Sequence, residues 1–198
     1  MALAPVFKET YARYLSRIGA LDLAARCEAL GFEMESGKAR IVCFNRTYRV
    51  GSKGIHDLDG KTPNLSVSVI LCKYLLMCPD HIPRTQGLVT YKDFRNAAPL
   101  VHFFSNSVQR EVARKFEGDP AGLEEACRRL GGRPYAAELA YQVKFRFLGL
   151  PKVPVYLLFN DAEDGFAAQC TLLFERSAEF YLDMESLAML GAALARWL

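Results

Sequence analysis

The sequence lacks the short motifs that identify the common catalytic and cofactor-binding classes. It contains no nucleophile elbow, no phosphate-binding loop, no dinucleotide fingerprint and no paired-cysteine metal motif. It also lacks internal repeats, low-complexity tracts and any linker long enough to divide the chain. The length of 198 residues therefore favours one globular domain, 1–198, and the sequence does not identify a reaction.

Long apolar runs are missing too. The longest, from Val67 to Cys78, is interrupted by Ser68 and Lys73 and is too short to cross a bilayer, so we expect no membrane span. The N-terminus lacks the uninterrupted apolar stretch of a secretory signal. The cysteines follow no disulfide framework, which predicts reduced thiols and a cytoplasmic location; they are Cys27, Cys43, Cys72, Cys78, Cys127 and Cys170.

The clearest secondary-structure patterns in the sequence lie near the C-terminus. From Tyr141 to Phe147 apolar and polar residues alternate, which predicts a strand with one buried face carrying Tyr141, Val143, Phe145 and Phe147. The continuous apolar run Val155–Phe159 predicts a strand covered on both sides. A third strand is expected over 167–175, and the short connections favour an antiparallel meander.

Helices are predicted around this meander. Asp183 stands where an N-cap belongs, and Leu187, Leu190, Leu194 and Trp197 follow at helical spacing, so we expect a terminal helix with Trp197 turned into the core. Further helices are predicted over 5–30, from Thr62 to Cys78, from Pro99 to Gly118 and after Asp119. The fold class is therefore α+β, with a mostly antiparallel sheet packed by several helices.

Strands are also predicted before the second helix. Phe32 and Met34 start a sheet, and Arg40 to Val50 returns as a strand or bent pair of strands with Val42, Phe44 and Tyr48 on one face. The glycines at 51, 54 and 60 predict a loop or short hairpin after it.

The stretch from Lys38 to Lys53 is basic and contains no acidic residue, although the net charge is only +3. Arg40, Arg46 and Arg49 alternate with aromatic residues, as in surfaces that bind single-stranded nucleic acid. A regular strand would place Arg40 and Arg46 on the face of Phe44 and Tyr48, with Arg49 on the other. A solvated sheet face, or pairing with the acidic residues near the C-terminus, is the favoured interpretation at so low a net charge.

Two other groups of residues have spacings that catalytic or metal sites use. His56 and Asp57 lie in the glycine-flanked loop, where a histidine beside a carboxylate could act as a general base; a plain hairpin turn is favoured. Cys78 and His81 have the spacing of two metal ligands, but a tetrahedral site needs two more and buried structural thiols are favoured. We therefore predict no metal and no cofactor. The candidate ligand-binding residues are Arg46, Tyr48, Arg49, His56 and Asp57.

The run from Leu173 to Ala178, with Tyr181-Leu182 and Glu185 after it, resembles an uncharacterised bacterial and archaeal family, domain of unknown function 3786. Arg46-x-Tyr48-x-Val50, Tyr74-Leu75-Leu76 and Gly131-Gly132 extend the resemblance over most of the chain. The family has aspartate where this chain has Glu175. The resemblance implies a stand-alone cytoplasmic protein of anaerobes, and some members carry an iron–sulfur domain. It supplies no catalytic residue.

Three functional hypotheses follow. The favoured one is a non-catalytic accessory domain that binds a small molecule or a partner protein, with homo-oligomerisation left open. The second is an enzyme or cofactor carrier in anaerobic iron–sulfur or one-carbon metabolism, which the resemblance alone implies. The third is weak single-stranded nucleic-acid binding through 38–53.

Overall fold

The computed structural model describes residues 5–81 and 87–198. The α-helices are α1 (Pro5–Gly19), α2 (Cys27–Leu30), α3 (Leu65–Leu76), α4 (Val101–Phe104), α5 (Arg110–Lys115), α6 (Pro120–Arg129) and α7 (Met184–Trp197). The β-strands are β1 (Glu33–Glu35), β2 (Lys38–Cys43), β3 (Arg46–Gly51), β4 (Gly54–Asp57), β5 (Leu88–Thr90), β6 (Arg133–Pro134), β7 (Val143–Leu150), β8 (Val153–Asn160) and β9 (Gln169–Glu175).

The C-terminal sheet has the strand order β5-β9-β8-β7-β6, with antiparallel neighbours. The predicted three-strand meander is confirmed as β7-β8-β9. In β7 the buried residues Val143, Phe145 and Phe147 alternate with Lys144 and Arg146, because successive side chains of a strand point to opposite faces. Strand β8 is buried from Val153 to Phe159, as expected for a continuous apolar run.

Both faces of β8 are covered. On one face α7 packs, and its Leu190 lies beside Gly149 at the end of β7. On the other face the ring of Tyr135 meets Tyr156 edge-on, with 4.8 Å between centroids. Lys144 Nζ donates to the carbonyls of Ala137 and Leu139, which holds the segment after β6 over this face.

The terminal helix begins where the sequence predicts. Asp183 Oδ1 accepts from the Ser186 amide at 2.8 Å, which satisfies one of the free N–H groups of the first turn. Leu187, Leu190 and Leu194 are fully buried. Trp197 differs from its prediction, because it is only half-buried and lies at the edge of the core.

The N-terminal sheet is an antiparallel meander of order β1-β2-β3-β4. The predicted faces are confirmed for Arg46, Tyr48 and Arg49 and are wrong for Val42 and Arg40. The chain turns at Phe44-Asn45, so that Cys43 pairs with Arg46. Val42 therefore lies on the half-exposed face while Ile41, Cys43 and Tyr48 are buried, and Arg40 shares its face with Arg49 rather than with Arg46.

The turn at Phe44 also joins the two sheets. Phe44 has a φ of 55°, a left-handed conformation that is uncommon for a bulky residue. Its N–H donates to the Gly149 carbonyl of β7 at 3.1 Å, and its ring lies 6.0 Å from that of Phe147, edge to face. The two meanders therefore share one core at this point.

Two helices differ from their predictions, one in the residue at which it begins and the other in its helical geometry. Helix α3 begins after Asn64, whose Oδ1 accepts from the Val67 amide, instead of at Thr62-Pro63. The helix expected after Pro99 contains a π-helical segment, Ser105–Gln109, between α4 and α5. Gln109 Oε1 from this segment accepts from the Leu172 amide of β9, just beyond the end of β5.

Across the two described ranges, no helix combines the length and the apolarity that crossing a membrane requires.

Candidate functional site

The candidate ligand-binding residues do not converge on one site. Arg49 and His56 are cross-strand neighbours on the half-exposed face of the N-terminal sheet, and Tyr48 and Asp57 are neighbours on its other face. Arg46 lies at the start of β3, at the far end of the hairpin. The structure thus divides the predicted set between the two faces of the sheet, with Arg46 on the face of Tyr48.

The half-exposed face is a set of ion pairs. Arg49 binds Glu35 through two hydrogen bonds of 2.6 and 3.0 Å, and Arg40 Nη1 lies 3.0 Å from Glu33 Oε2. The hydrogen bonds from Arg49 hold the pKa of Glu35 below its usual value. The carboxylates that pair with these arginines come from β1 rather than from the acidic C-terminal region.

His56 and Asp57 lie at the end of β4, and the side chain of Asp57 closes the turn that follows. Asp57 Oδ1 accepts from the amides of Asp59 and Lys61, at 3.0 and 2.8 Å. These bonds close the loop after β4, as the hairpin interpretation expects. Since His56 faces the side opposite to Asp57, the structure does not bring the two side chains together as an acid–base pair.

Cys78 and His81 lie after the end of α3. Cys78 Sγ is 3.7 Å from the Pro79 carbonyl, and His81 is exposed. In the part of the chain that the structure describes, no group of three or more His, Cys, Asp and Glu side chains is arranged to hold a metal ion. Burial raises the pKa of Cys43, Cys72 and Cys127 to about 12, which keeps these thiols protonated and unreactive.

Arg46 and Tyr48 are the predicted residues that the structure does bring together, and Trp197 joins them. The Arg46 guanidinium carbon lies 4.3 Å from the centroid of the Trp197 ring, a cation–π contact. Phe44 supports the same ring from its edge, with centroids 5.7 Å apart. Burial raises the pKa of the Tyr48 hydroxyl, and the neighbouring Arg46 guanidinium opposes that shift.

Arg46 and Trp197 border an open cleft of about 320 Å³, the Trp197 cleft, whose lining residues are Asn45, Arg46, Arg129, Leu130 and Trp197. The β2–β3 turn is fixed against the end of α6, because Asn45 Nδ2 donates to the Arg129 carbonyl at 2.7 Å. Arg129 Nη1 in turn lies 2.7 Å from Glu125 Oε1. Within the described ranges, Arg46 forms no ion pair with a carboxylate.

The geometry of Arg46 suits recognition of an anion. A guanidinium stacked on an aromatic ring keeps its N–H donors in its own plane, where they match the oxygens of a carboxylate or phosphate. Stacking also restricts the side chain before binding, so less conformational entropy is lost when a ligand binds. Because arginine stays protonated, this group binds an anion without transferring a proton.

The motif near Glu175 forms a polar row on the outer face of the C-terminal sheet. Arg146 Nε donates to the Tyr156 hydroxyl at 3.2 Å, and that hydroxyl donates to Glu175 Oε1 at 3.4 Å. Ser177 Oγ donates to Glu175 Oε2 at 3.4 Å. These groups bond one another across β7, β8 and β9, so the row links strands.

A larger cavity, of about 750 Å³, lies over the acidic turn between β8 and β9. Its size does not make it the better candidate. Asp161 Oδ1 already accepts from the amides of Gly118 and Ala162, both at 2.8 Å, so this carboxylate fixes the turn. The Trp197 cleft is smaller, but it contains a cation positioned by its neighbours.

Sequence reasoning missed Asn45, Arg129 and the surface role of Trp197. Asn45 follows a residue in a left-handed turn that the sequence does not mark with glycine. Trp197 fits a helical apolar stripe as well as Leu194 does, so spacing alone assigns it to the core.

The structure thus defines an α+β fold with a small cationic cleft where its two sheets meet the end of the terminal helix. Residues 22–197 match the family described as Domain of unknown function (DUF3786), and the chain belongs to that family. Neither the curated proteins nor the solved structures contain a significant match.

Proposed function

We propose that this protein is a binding domain whose Trp197 cleft recognises a small anionic ligand, a carboxylate or a phosphate. The observation that carries the proposal is the Arg46 guanidinium held over Trp197, beside the Tyr48 hydroxyl. The position of Arg46 is set by stacking rather than by a neighbouring carboxylate, so its donors are available to an incoming oxyanion.

The cleft supports binding rather than chemistry on the ligand. Its cations are arginines, which stay protonated, and its aromatic residues act as supports for them. This fits an accessory role, in which the domain holds a small molecule for another protein. Each charge-assisted hydrogen bond lost is expected to weaken binding by about 1.5–3 kcal/mol.

The single tryptophan makes the test specific. Trp197 is the only tryptophan in the sequence, so intrinsic fluorescence excited at the indole reports directly on the cleft. We expect inorganic phosphate or citrate to change this emission with a saturable dependence. Arg46→Ala is expected to weaken binding at least about tenfold, in line with the loss of one charge-assisted bond.

A matched control comes from the same sheet. Arg40→Ala removes an equal charge whose partner is Glu33 on the half-exposed face, and it should leave the titration unchanged. Arg46→Lys keeps the charge but loses the planar fork, so an intermediate affinity is expected. Equal weakening by Arg46→Ala and Arg40→Ala would mean that the anion responds to net charge, and the proposal would be wrong.

A further inference from the structure

A second cavity, of about 230 Å³, also has Trp197 in its wall; it is called the Phe103 cavity here. It lies between the start of α3, the end of α4 and the outer side of α7. The lining residues that matter for its chemistry are Asn64, Phe103, Met189, Arg196 and Trp197. Because Trp197 borders both cavities, the Phe103 cavity and the Trp197 cleft are neighbours on the surface.

The Phe103 cavity is apolar where the Trp197 cleft is cationic. Phe103 is 44% exposed although the next residue, Phe104, is 2% exposed and belongs to the core. Met189 and Trp197 are also only partly buried. These side chains present apolar surface to water, and covering such surface with the apolar part of a ligand is favourable.

The charge around this apolar wall is positive. Arg196, one residue before the tryptophan, lines the Phe103 cavity and is exposed, while Arg46 lies over the Trp197 ring on the cleft side. Among described residues neither guanidinium forms an ion pair. Two cations next to an apolar wall complement a ligand that is both apolar and negatively charged.

We infer that the two cavities form one elongated site for an organic anion with a planar apolar body, such as an aryl phosphate or an aryl carboxylate. The anionic group binds Arg46 in the Trp197 cleft, and the planar body lies against Phe103 and Met189. This inference rests on the proposed function and adds the class of ligand to it.

The test compares two probes that share an anionic group, inorganic phosphate and phenyl phosphate, by calorimetry on the full chain. We expect phenyl phosphate to bind about tenfold more tightly or better, since its ring covers apolar surface. Phe103→Ala should remove that advantage and leave the affinity for inorganic phosphate unchanged. Circular dichroism establishes that the variant is folded.

The matched control is Phe166→Ala, which removes a 75% exposed ring in the turn between β8 and β9, away from both cavities. It should leave both affinities as they are. Equal affinities of the two probes for the unaltered protein, or a Phe103→Ala variant that keeps the advantage, would overturn the inference while phosphate binding through Arg46 stands. Absence of binding by both probes would overturn the proposed function as well.

Discussion

The two sheets of the protein differ in how their faces are covered. In the C-terminal sheet β8 is buried on both faces, between α7 and the segment after β6. In the N-terminal sheet only one face is buried, and the other carries the pairs Arg49–Glu35 and Arg40–Glu33. Apolar burial in the C-terminal sheet therefore provides the greater share of stability, because exposed ion pairs contribute little.

The largest expected effect tests this difference directly. Leu157→Ala in β8 removes a fully buried side chain, and we expect the free energy of unfolding to fall by about 3 kcal/mol because a cavity remains. Val42→Ala on the half-exposed face of β2 should cost less than about 1 kcal/mol. Urea denaturation of both variants measures the two losses. Similar losses would contradict the unequal roles of the sheets.

A smaller effect is expected at the start of α7, the helix that covers the C-terminal sheet. Asp183 caps this helix, and its Oδ2 lies 2.6 Å from Lys73 Nζ of α3. Asp183→Ala should lower the free energy of unfolding by about 1 kcal/mol through loss of the cap. Asp183→Asn keeps a capping oxygen and should cost less.

We also expect the contribution of Asp183 to stability to depend on pH. Burial alone would raise the pKa of Asp183, but the hydrogen bonds from Lys73 and Ser186 outweigh it and the pKa is lowered. The stabilising charge is therefore present above the pKa of the unfolded chain and is lost as the pH falls through the folded-state pKa. At neutral pH the unaltered protein should have a higher free energy of unfolding than Asp183→Asn. Denaturation at acidic pH should show that this difference vanishes. An advantage that persists in acid would mean that the charge is not its cause.

The smallest effect is expected on the half-exposed face of the N-terminal sheet. Glu35→Gln removes the charge that binds Arg49, and the change in thermal midpoint should be less than that for Asp183→Asn, because solvent and salt screen this pair. The pKa of Glu35 is lowered mainly by its hydrogen bonds with Arg49, so its contribution is also lost on acidification. If Glu35→Gln lowered the free energy of unfolding as much as Leu157→Ala does, the two sheets would not differ in their contributions to stability.

Much of the C-terminal half was predictable because its signals are local. The alternation in β7, the apolar run in β8 and the capping position of Asp183 each depend on residues close together in the chain. Physical constraints there act over a few residues. The bent pair of strands expected from Arg40 to Val50 is present as β2 and β3, but the faces of Arg40 and Val42 were predicted wrongly. The turn at Phe44-Asn45 has neither glycine nor proline to mark it, and an unmarked turn changes the face of the residues before it.

The candidate site was predictable only in part. Arg46 and Tyr48 were chosen because basic and aromatic residues alternate there, and they do lie together. Their contact with Trp197 depends on where the end of α7 meets the β2–β3 turn, which is a tertiary packing event. No spacing rule relates residues so far apart in the chain. Arg49 was chosen as part of the basic strand, and His56 and Asp57 as a possible acid–base pair, and none of the three lines the cleft.

Phe44 gives the cleft a mechanical connection to the rest of the molecule. Its ring buttresses the indole, and its main-chain N–H is anchored to the carbonyl of Gly149. The side chain that supports the indole thus belongs to a residue whose main chain joins the two meanders. The proposed binding cleft and the junction of the two sheets therefore depend on the same residue.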